Sequence, residues 1–261
     1  MTRYRRRQSL IDLLKQHQDL RVSDLAEALN VSEGTVRNDL NALEAEGKLR
    51  RVHGGAVLQS QELTPDSNFS RRYLQNIEAK RVIARAAAQY VNDEDSILLD
   101  ASSTDFYLAR MLSARQSLRV VTNGFDVARE LAQNTSNNVI LIGGVVNNNS
   151  SSVTGLLSER IIEDLHINKA FLSCSGFTIE SGMTEVHLAE AQLKRKIIAS
   201  TDHLYALIDS SKFGKADLTS FAKADKITRL FTDNHVADEW KMILAQAGIE
   251  VSICDEGVVT K

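Results

Sequence analysis

Apolar positions in the first sixty residues repeat at helical spacing in two short segments. Leu25, Ala26 and Leu29 form one stripe and Val36, Leu40 and Leu43 the other, with Asn30-Val31-Ser32 between them. The spacing predicts two short helices joined by a tight turn. An earlier stripe, Leu10, Ile11 and Leu14, predicts a helix over residues 5–17 whose apolar face covers that pair. Ser23 and Ser32 stand where an N-cap hydroxyl accepts from a first-turn amide, so the second helix is expected from Ser23 to Leu29 and the third to start at Ser32. After Gly47 the run KLRRVHGGAVL has the form strand, glycine turn, strand, with Leu49, Val52 and Val57 packing back. These elements make a winged helix-turn-helix, assigned to residues 1–58.

From residue 72 the pattern changes. IEAKRVIARAAAQYV predicts an amphipathic helix, expected to bridge two domains. Beyond it, SILLD, LRVVT, NVILIGG, KAFLSCSG, YALID, ITRLFTD and VSICD are strand candidates alternating with helical stretches. That alternation predicts a larger Rossmann-like α/β domain, residues 72–261, around a largely parallel sheet. Between the two lies a polar stretch containing the sole proline, Pro65, and residues 59–71 are assigned to a linker.

Charge sharpens the division. The whole chain carries −3, but residues 1–60 carry +2 and the remainder −5. Arg3, Arg5, Arg6 and Arg7 supply much of the basic excess, as a solvated terminus or as a nucleic-acid contact. Cys174 and Cys254 are far apart and lack zinc-ligand spacing, as do the six histidines, so no metal and no disulfide framework is expected. No apolar run approaches the roughly 20 residues of a membrane span. A cytoplasmic protein without membrane contact is the expectation.

In a helix-turn-helix the second helix of the motif enters the major groove. Thr35 and Asn38 share its outward face with Arg37 beside them, and Ser32 caps it. Asn pairs with adenine, Thr meets the thymine methyl, and Arg reads guanine or holds phosphate. Arg50, Arg51, His53 and Gly54 form the wing and suit the neighbouring backbone or minor groove. Double-stranded operator DNA is the expected partner of this face.

In open α/β sheets ligands collect beyond the carboxyl ends of the strands. There the candidate strands end in Asp100 with Ser102, Ser103 and Thr104, in Asn123, in Gly143 and Gly144, in Gly176, and in Asp209 with Lys212. Hydroxyls, glycines, a lysine and helix N-termini suit a phosphorylated polyol. No GxGxxG and no Walker A sequence occurs, so no nucleotide cofactor is expected. Glu190 and Lys194, at i and i+4, are read as a helix-surface ion pair. No catalytic residue is assigned.

The run VSDLAEALNVSEGTVRNDLNALEAEGKLRRVHGGAV resembles the N-terminal signature of the DeoR family of bacterial transcription regulators. LLDASST, VVTNG, LIGG and DSSKFG resemble that family's sensor blocks, whose fold is similar to ribose-5-phosphate isomerase. The resemblance implies that Ser102, Ser103 and Thr104 hold a phosphate, while Asp100, Asn123, Gly143, Gly144 and Lys212 line the rest of the pocket. Gly34 and Asn38 depart from the family pattern, which more usually has a larger polar or charged residue and an arginine. In SCSGFTIESGMTEVH, Ser173, Ser175 and Glu185 stand where the family's GADGID and GLTT blocks have small, acidic and hydroxyl residues. The expectation is a transcription regulator, by the family's habit a repressor of carbohydrate-metabolism genes, controlled by a phosphorylated sugar. It acts as a homo-oligomer, a dimer or tetramer. The alternative is a sugar-phosphate isomerase bearing a DNA-binding appendage.

Overall fold

The computed structural model describes residues 3–16, 22–45, 49–52, 55–58, 68–147, 149–255 and 259–260. The chain divides into two compact units, 1–64 and 65–261.

The first unit contains α1 (Arg3–Gln16), α2 (Val22–Leu29), α3 (Glu33–Ala45) and an antiparallel hairpin of β1 (Leu49–Val52) and β2 (Gly55–Leu58). Leu10, Leu25, Val36, Leu40 and Leu49 are fully buried in one core. Each such leucine contributes about 1.5–3 kcal/mol by leaving water. The turn between α2 and α3 has a specific cause. Asn30 adopts the left-handed conformation (φ 50°), Val31 N donates to Ala26 O (3.0 Å) and Asn30 N to Glu27 O (3.1 Å). This is the paired closure of a Schellman motif, with Asn in the place glycine usually takes. Ser23, expected as the cap of α2, lies inside it: the helix already begins at buried Val22, and the Ser23 hydroxyl donates to the Asp24 side chain instead.

The second unit opens with α4 (Asn68–Leu74) and α5 (Ile77–Ala88), then β3 (Ser96–Leu99), α6 (Ser103–Met111), β4 (Arg119–Thr122), α7 (Phe125–Leu131), β5 (Asn138–Leu141) and a small hairpin of β6 (Val145–Asn147) and β7 (Ser152–Thr154). It continues with α8 (Leu156–Glu163), β8 (Ile167–Leu172), a second hairpin of β9 (Gly176–Thr178) and β10 (Gly182–Glu185), α9 (Leu188–Ala199) and β11 (Thr201–Leu207). Last come β12 (Thr219–Ala222), which joins β10, then β13 (Arg229–Asp233), α10 (Asp238–Gln246), β14 (Val251–Cys254) and β15 (Val259–Thr260).

All seven apolar runs enter one sheet, in the order β5-β4-β3-β8-β11-β13-β14-β15, parallel throughout except for β15. From β3 the chain winds outward to β4 and β5, then returns to the other side of β3 through β8, β11, β13 and β14. The strand order therefore reverses between β3 and β8, where a doubly wound sheet leaves its ligand crevice.

Two boundaries differ from expectation. Residues 68–71, placed in the linker, belong to α4, because Phe69 is buried (1% exposed) and packs edge-on against Phe106 of α6 at 6.2 Å. The amphipathic helix α5 was expected as a bridge between domains. Its apolar face, including Val82, Ile83 and Ala87, is instead buried inside the second unit against α6 and β13.

Candidate functional site

In the first unit, Ser32 Oγ accepts from Thr35 N (3.3 Å), the N-cap bond expected for α3. The Thr35 hydroxyl in turn shares a 2.9 Å hydrogen bond with Ser32, leaving its methyl for apolar contact. Arg37 and Asn38 are exposed on the same helix. Arg37 pairs with Glu33 at 2.7 Å, but both side chains are about half exposed, and such pairs are worth less than about 1 kcal/mol. The guanidinium is thus exchangeable for a phosphate at little cost. Arg50 and Arg51 lie in β1, opposite Val57 and Ala56 of β2. His53 and Gly54 lie outside the described residues.

The arginine run of α1 has a role that neither sequence reading covered. Arg6 and Arg7 donate to the two oxygens of Asp39 at 2.5 and 3.2 Å, and Asp39 is only 2% exposed. Part of the basic excess therefore neutralises a buried carboxylate of α3 and fixes that helix to α1.

In the second unit, a cavity of about 540 Å3 opens at the strand reversal. Its floor is made by the segments that leave β3, β8 and β11: Asp100 to Ser103, Ser173 to Ser175, and Asp209 to Lys212. The parallel register brings these ends side by side, with Leu99 opposite Phe171 and Leu172 opposite Ala206. Ser102 caps α6, accepting from Asp105 N at 3.0 Å and donating to Asp105 Oδ2 at 2.7 Å. The capped start of α6, at Ser102 and Ser103, thus lines the cavity, a favourable place for an anion.

Six lysines and arginines and four carboxylates line the cavity, an excess of two positive charges. Lys194 is buried, and its three ammonium protons reach Glu185 (2.7 Å), Asp100 (3.0 Å) and the Ser173 carbonyl (2.8 Å). Burial acts to raise the Asp100 pKa; Lys194 and the hydrogen bonds from Asp105 and Ser102 outweigh it and hold Asp100 down to about 2. Burial also acts to lower Lys194, and Asp100, Glu185 and Glu190 together overcome it, so its value is raised. Asp105, fully buried beside Asp100, is pushed well above the carboxylate range by burial first and by that neighbour second. Lys80 is pulled down to about 8 by burial and then by the Lys212 ammonium; it donates to the carbonyls of Arg72 and Gln75. Lys212 donates to Ser173 Oγ at 2.8 Å and lies 3.4 Å from Asp209. Burial pushes the Cys174 thiol up to about 12, which keeps it protonated at neutral pH.

Of the ten residues expected to bind an effector, Asp100, Ser102, Ser103, Asp209 and Lys212 line this cavity. The other five lie outside its lining, for identifiable reasons. Thr104 is turned into the core and fully buried. Asn123 is buried and donates to Val153 O and to Glu190. Gly143 accepts from Ser158 through its carbonyl, and a Cβ on Gly144 (φ 155°) would meet Thr154 O at 2.4 Å. At Gly176 a Cβ would meet Lys215 O at 2.5 Å. Gly144 and Gly176 allow close backbone packing.

The sequence reading missed Arg71, Arg72, Asn76 and Lys80, contributed by α4, α5 and the turn between them, and Glu185, Glu190 and Lys194. Glu190 and Lys194 are not a surface pair: both are buried and take different partners. Their spacing carried a usable signal, because positions 190, 194 and 197 lie on one helical stripe with Leu193 beside them, and Leu193 and Ile197 are core. Charged residues on that stripe had to be buried.

Among the described residues no helix is long and apolar enough to cross a membrane, and no cluster of three or more His, Cys, Asp or Glu side chains is arranged to hold a metal. A family profile described as the DeoR-like helix-turn-helix domain matches residues 6–62, and one described as the DeoR C terminal sensor domain matches residues 75–234. Over 252 residues the chain is 40% identical to the HTH-type transcriptional regulator GolR of Listeria innocua, covering 97% of this chain and 99% of that protein. It is 36% identical to the L-fucose operon activator of Haemophilus influenzae (87% and 91% covered) and 34% identical to the lactose phosphotransferase system repressor of Streptococcus mutans (89% and 93%). These relatives bear the names of regulators, not of enzymes, so the isomerase alternative is set aside. A ribose 5-phosphate isomerase A from Methanocaldococcus jannaschii aligns with 14% identity over 53% of this chain and 55% of its own, with a TM-score of 0.40, which supports no argument about activity.

Proposed function

The chain belongs to the DeoR family of transcription regulators, and from that premise we propose that it represses carbohydrate-metabolism genes under the control of a phosphorylated sugar bound in the cavity. The observation that carries this reading is the cavity itself: it lies at the strand reversal, holds an excess of two positive charges, and is faced by the capped start of α6. One phosphate matches that excess and that helix start.

A route for coupling is suggested by chain order. Arg71 and Arg72 sit on α4, and Asn76 and Lys80 follow at once, so the first elements after the stretch joining the units supply cavity residues. An anion drawing these side chains inward alters the point where the DNA-binding unit is tethered. Regulation then requires that the effector bind one operator-competence state more tightly than the other, typically by about 1–3 kcal/mol. Action as a dimer or tetramer is supported by the exposed apolar side chains Leu156 (78% exposed), Leu157, Val145 and Ile140 on α8, β6 and β5, which suit a second copy. Repression as the sign is supported by the name of the streptococcal relative, whereas the Haemophilus relative is named an activator.

The test is fluorescence anisotropy with DNA from upstream of the protein's own gene, with and without sugar phosphates at millimolar concentration. The expected result is salt-sensitive binding that at least one phosphorylated sugar weakens tenfold or more. Binding that no phosphorylated sugar alters removes the effector from the proposal.

A further inference from the structure

We infer that the open edge of the main sheet, β5, pairs antiparallel with β5 of a second copy, so that the two sheets run on as one across a two-fold axis with Ile140 opposite its own twin. This deepens the reading of the chain as a homo-oligomer by naming the face and the register. Residues 131–158 contain no Asp, Glu, Lys, Arg or His, in a chain that is 25% charged. They include β5, β6, β7 and the start of α8. The same stretch carries a block of exposed apolar side chains: Ile140 (39% exposed) and Leu141 on β5, Val145 and Val146 on β6, and Leu156 and Leu157 on α8. Their elements adjoin. Ser158 Oγ donates to Gly143 O at 2.7 Å, which sets the first turn of α8 against the end of β5, and a Cβ on Gly155 would stand 3.6 Å from Val145.

The strand edge itself is unprotected. Among the described residues β5 pairs with β4 alone. Asn138 N donates to Leu118 O (2.8 Å) and Ile142 N to Thr122 O (2.9 Å), so alternate residues from Asn138 direct their main chain to β4, while Val139 and Leu141 turn theirs outward. Natural sheets blunt such an edge with a lysine, a proline or a bulge. β5, reading NVIL, has none of these. Antiparallel pairing about Ile140 sets Val139 opposite the second copy's Leu141, and each such pair exchanges both of its N–H···O bonds. Two observations make the occupant a second copy. A face that meets itself brings side chains near their own twins, where any charge repels, and an uncharged face avoids that. The area also fits: at their fractional exposures the six apolar side chains leave on the order of 600 Å2 in water, against the ~800 Å2 that each partner of a stable complex buries, and the strand edge adds to it.

The experiment is sedimentation velocity of the full chain at micromolar concentration, with Ile140→Lys and Ile140→Glu run separately and mixed. Wild type is expected at twice the mass of one chain or a higher multiple. Each variant alone sets like charges opposite one another and should at least halve that mass, whereas the equimolar mixture sets lysine against glutamate and should restore it. A wild-type urea midpoint by Trp240 fluorescence shows that a variant is folded; where it is not, Leu156→Lys, at the most exposed of the six positions, takes its place with the same expected loss of mass. A single-chain mass for wild type overturns the inference together with the homo-oligomer reading, and leaves the face to a different protein. Folded variants that keep the wild-type mass overturn this edge as the interface and leave the homo-oligomer reading standing. Loss of mass without recovery in the mixture overturns the register about Ile140.

Discussion

Replacing Lys194 with methionine removes the ammonium that Asp100 and Glu185 share while keeping most of the side-chain volume. Asp100 is 1% exposed and Glu185 12%, so little water reaches either carboxylate where they stand. Breaking one partner out of a buried pair costs about 3–5 kcal/mol, a large part of the ~5–15 kcal/mol that holds a domain together. Trp240, the sole tryptophan, reports on the second unit alone, packed against Phe213 and Phe177 at 5.3 and 6.3 Å. Its fluorescence in urea should show a midpoint lowered by roughly 1.5–2.5 M at a slope near 2 kcal/mol/M. The pH profile is the sharper test. In the wild type, Asp100 is depressed from 3.8 to about 2, so its contribution, about 2 kcal/mol, is fully present above pH 3.8 and is lost as pH falls toward 2. In the variant, burial is no longer outweighed, both carboxylates rise, and the folded state binds protons more readily than the unfolded one. Stability should then rise more steeply as pH falls from 7 to 5 than in the wild type, where Asp105 is the raised carboxylate of this cluster. A loss below 1 kcal/mol, or parallel profiles for the two proteins, would refute the account of Lys194 as the counter-charge of this network.

Asp39→Ala should destabilise the first unit by about 2 kcal/mol, less than for a fully enclosed pair because Arg6 and Arg7 keep some water, and circular dichroism should show an earlier helical melt with the Trp240 transition unmoved. Arg37→Ala should cost under about 1 kcal/mol in stability yet weaken operator binding across sequences and reduce the salt slope by about one; unchanged anisotropy curves would remove Arg37 from the DNA-contacting face. Gly144→Ala should lower the melting temperature through a clash worth about 2 kcal/mol or more, whereas Gly143→Ala, with nothing within 4 Å of its Cβ, should melt within a degree or two of wild type.

The elements were legible because their signals are local. Helical stripes at Leu25–Leu29 and Val36–Leu43, and the seven apolar runs of the sheet, state their own periodicity, and Ser32 and Ser102 cap the helices that follow them. Strand order was not stated by any segment, and it decides which strand ends share a cavity. Asn123 and Gly143 end their runs in the same manner as Asp100, yet β4 and β5 lie outside the reversal and β3 lies at it. The stripe that Glu190 and Lys194 share with Ile197 likewise marks them as buried, but which partners each takes is decided only by the packing of α9.

The departures in the segment after β8 show how such a site keeps its charge. Ser173 and Ser175 occupy positions where the resemblance implied small and acidic residues, which by sequence alone reads as loss of the acid. The chain reverses at Gly182 (φ 68°), where a Cβ would meet Ala222 O at 2.0 Å, and β10 pairs back along β9 with Thr184 opposite Gly176. That register carries Glu185 to within 2.5 Å of Ser175 Oγ, which donates to it, and to Lys194. The carboxylate beside Ser175 thus comes from the facing strand, ten residues later. Ser173, for its part, donates its amide to Asp100 and accepts from Lys212, joining the two charged ends of the floor. Glu185 is therefore held from two sides, by Ser175 across the hairpin and by Lys194 of α9, which also holds Asp100.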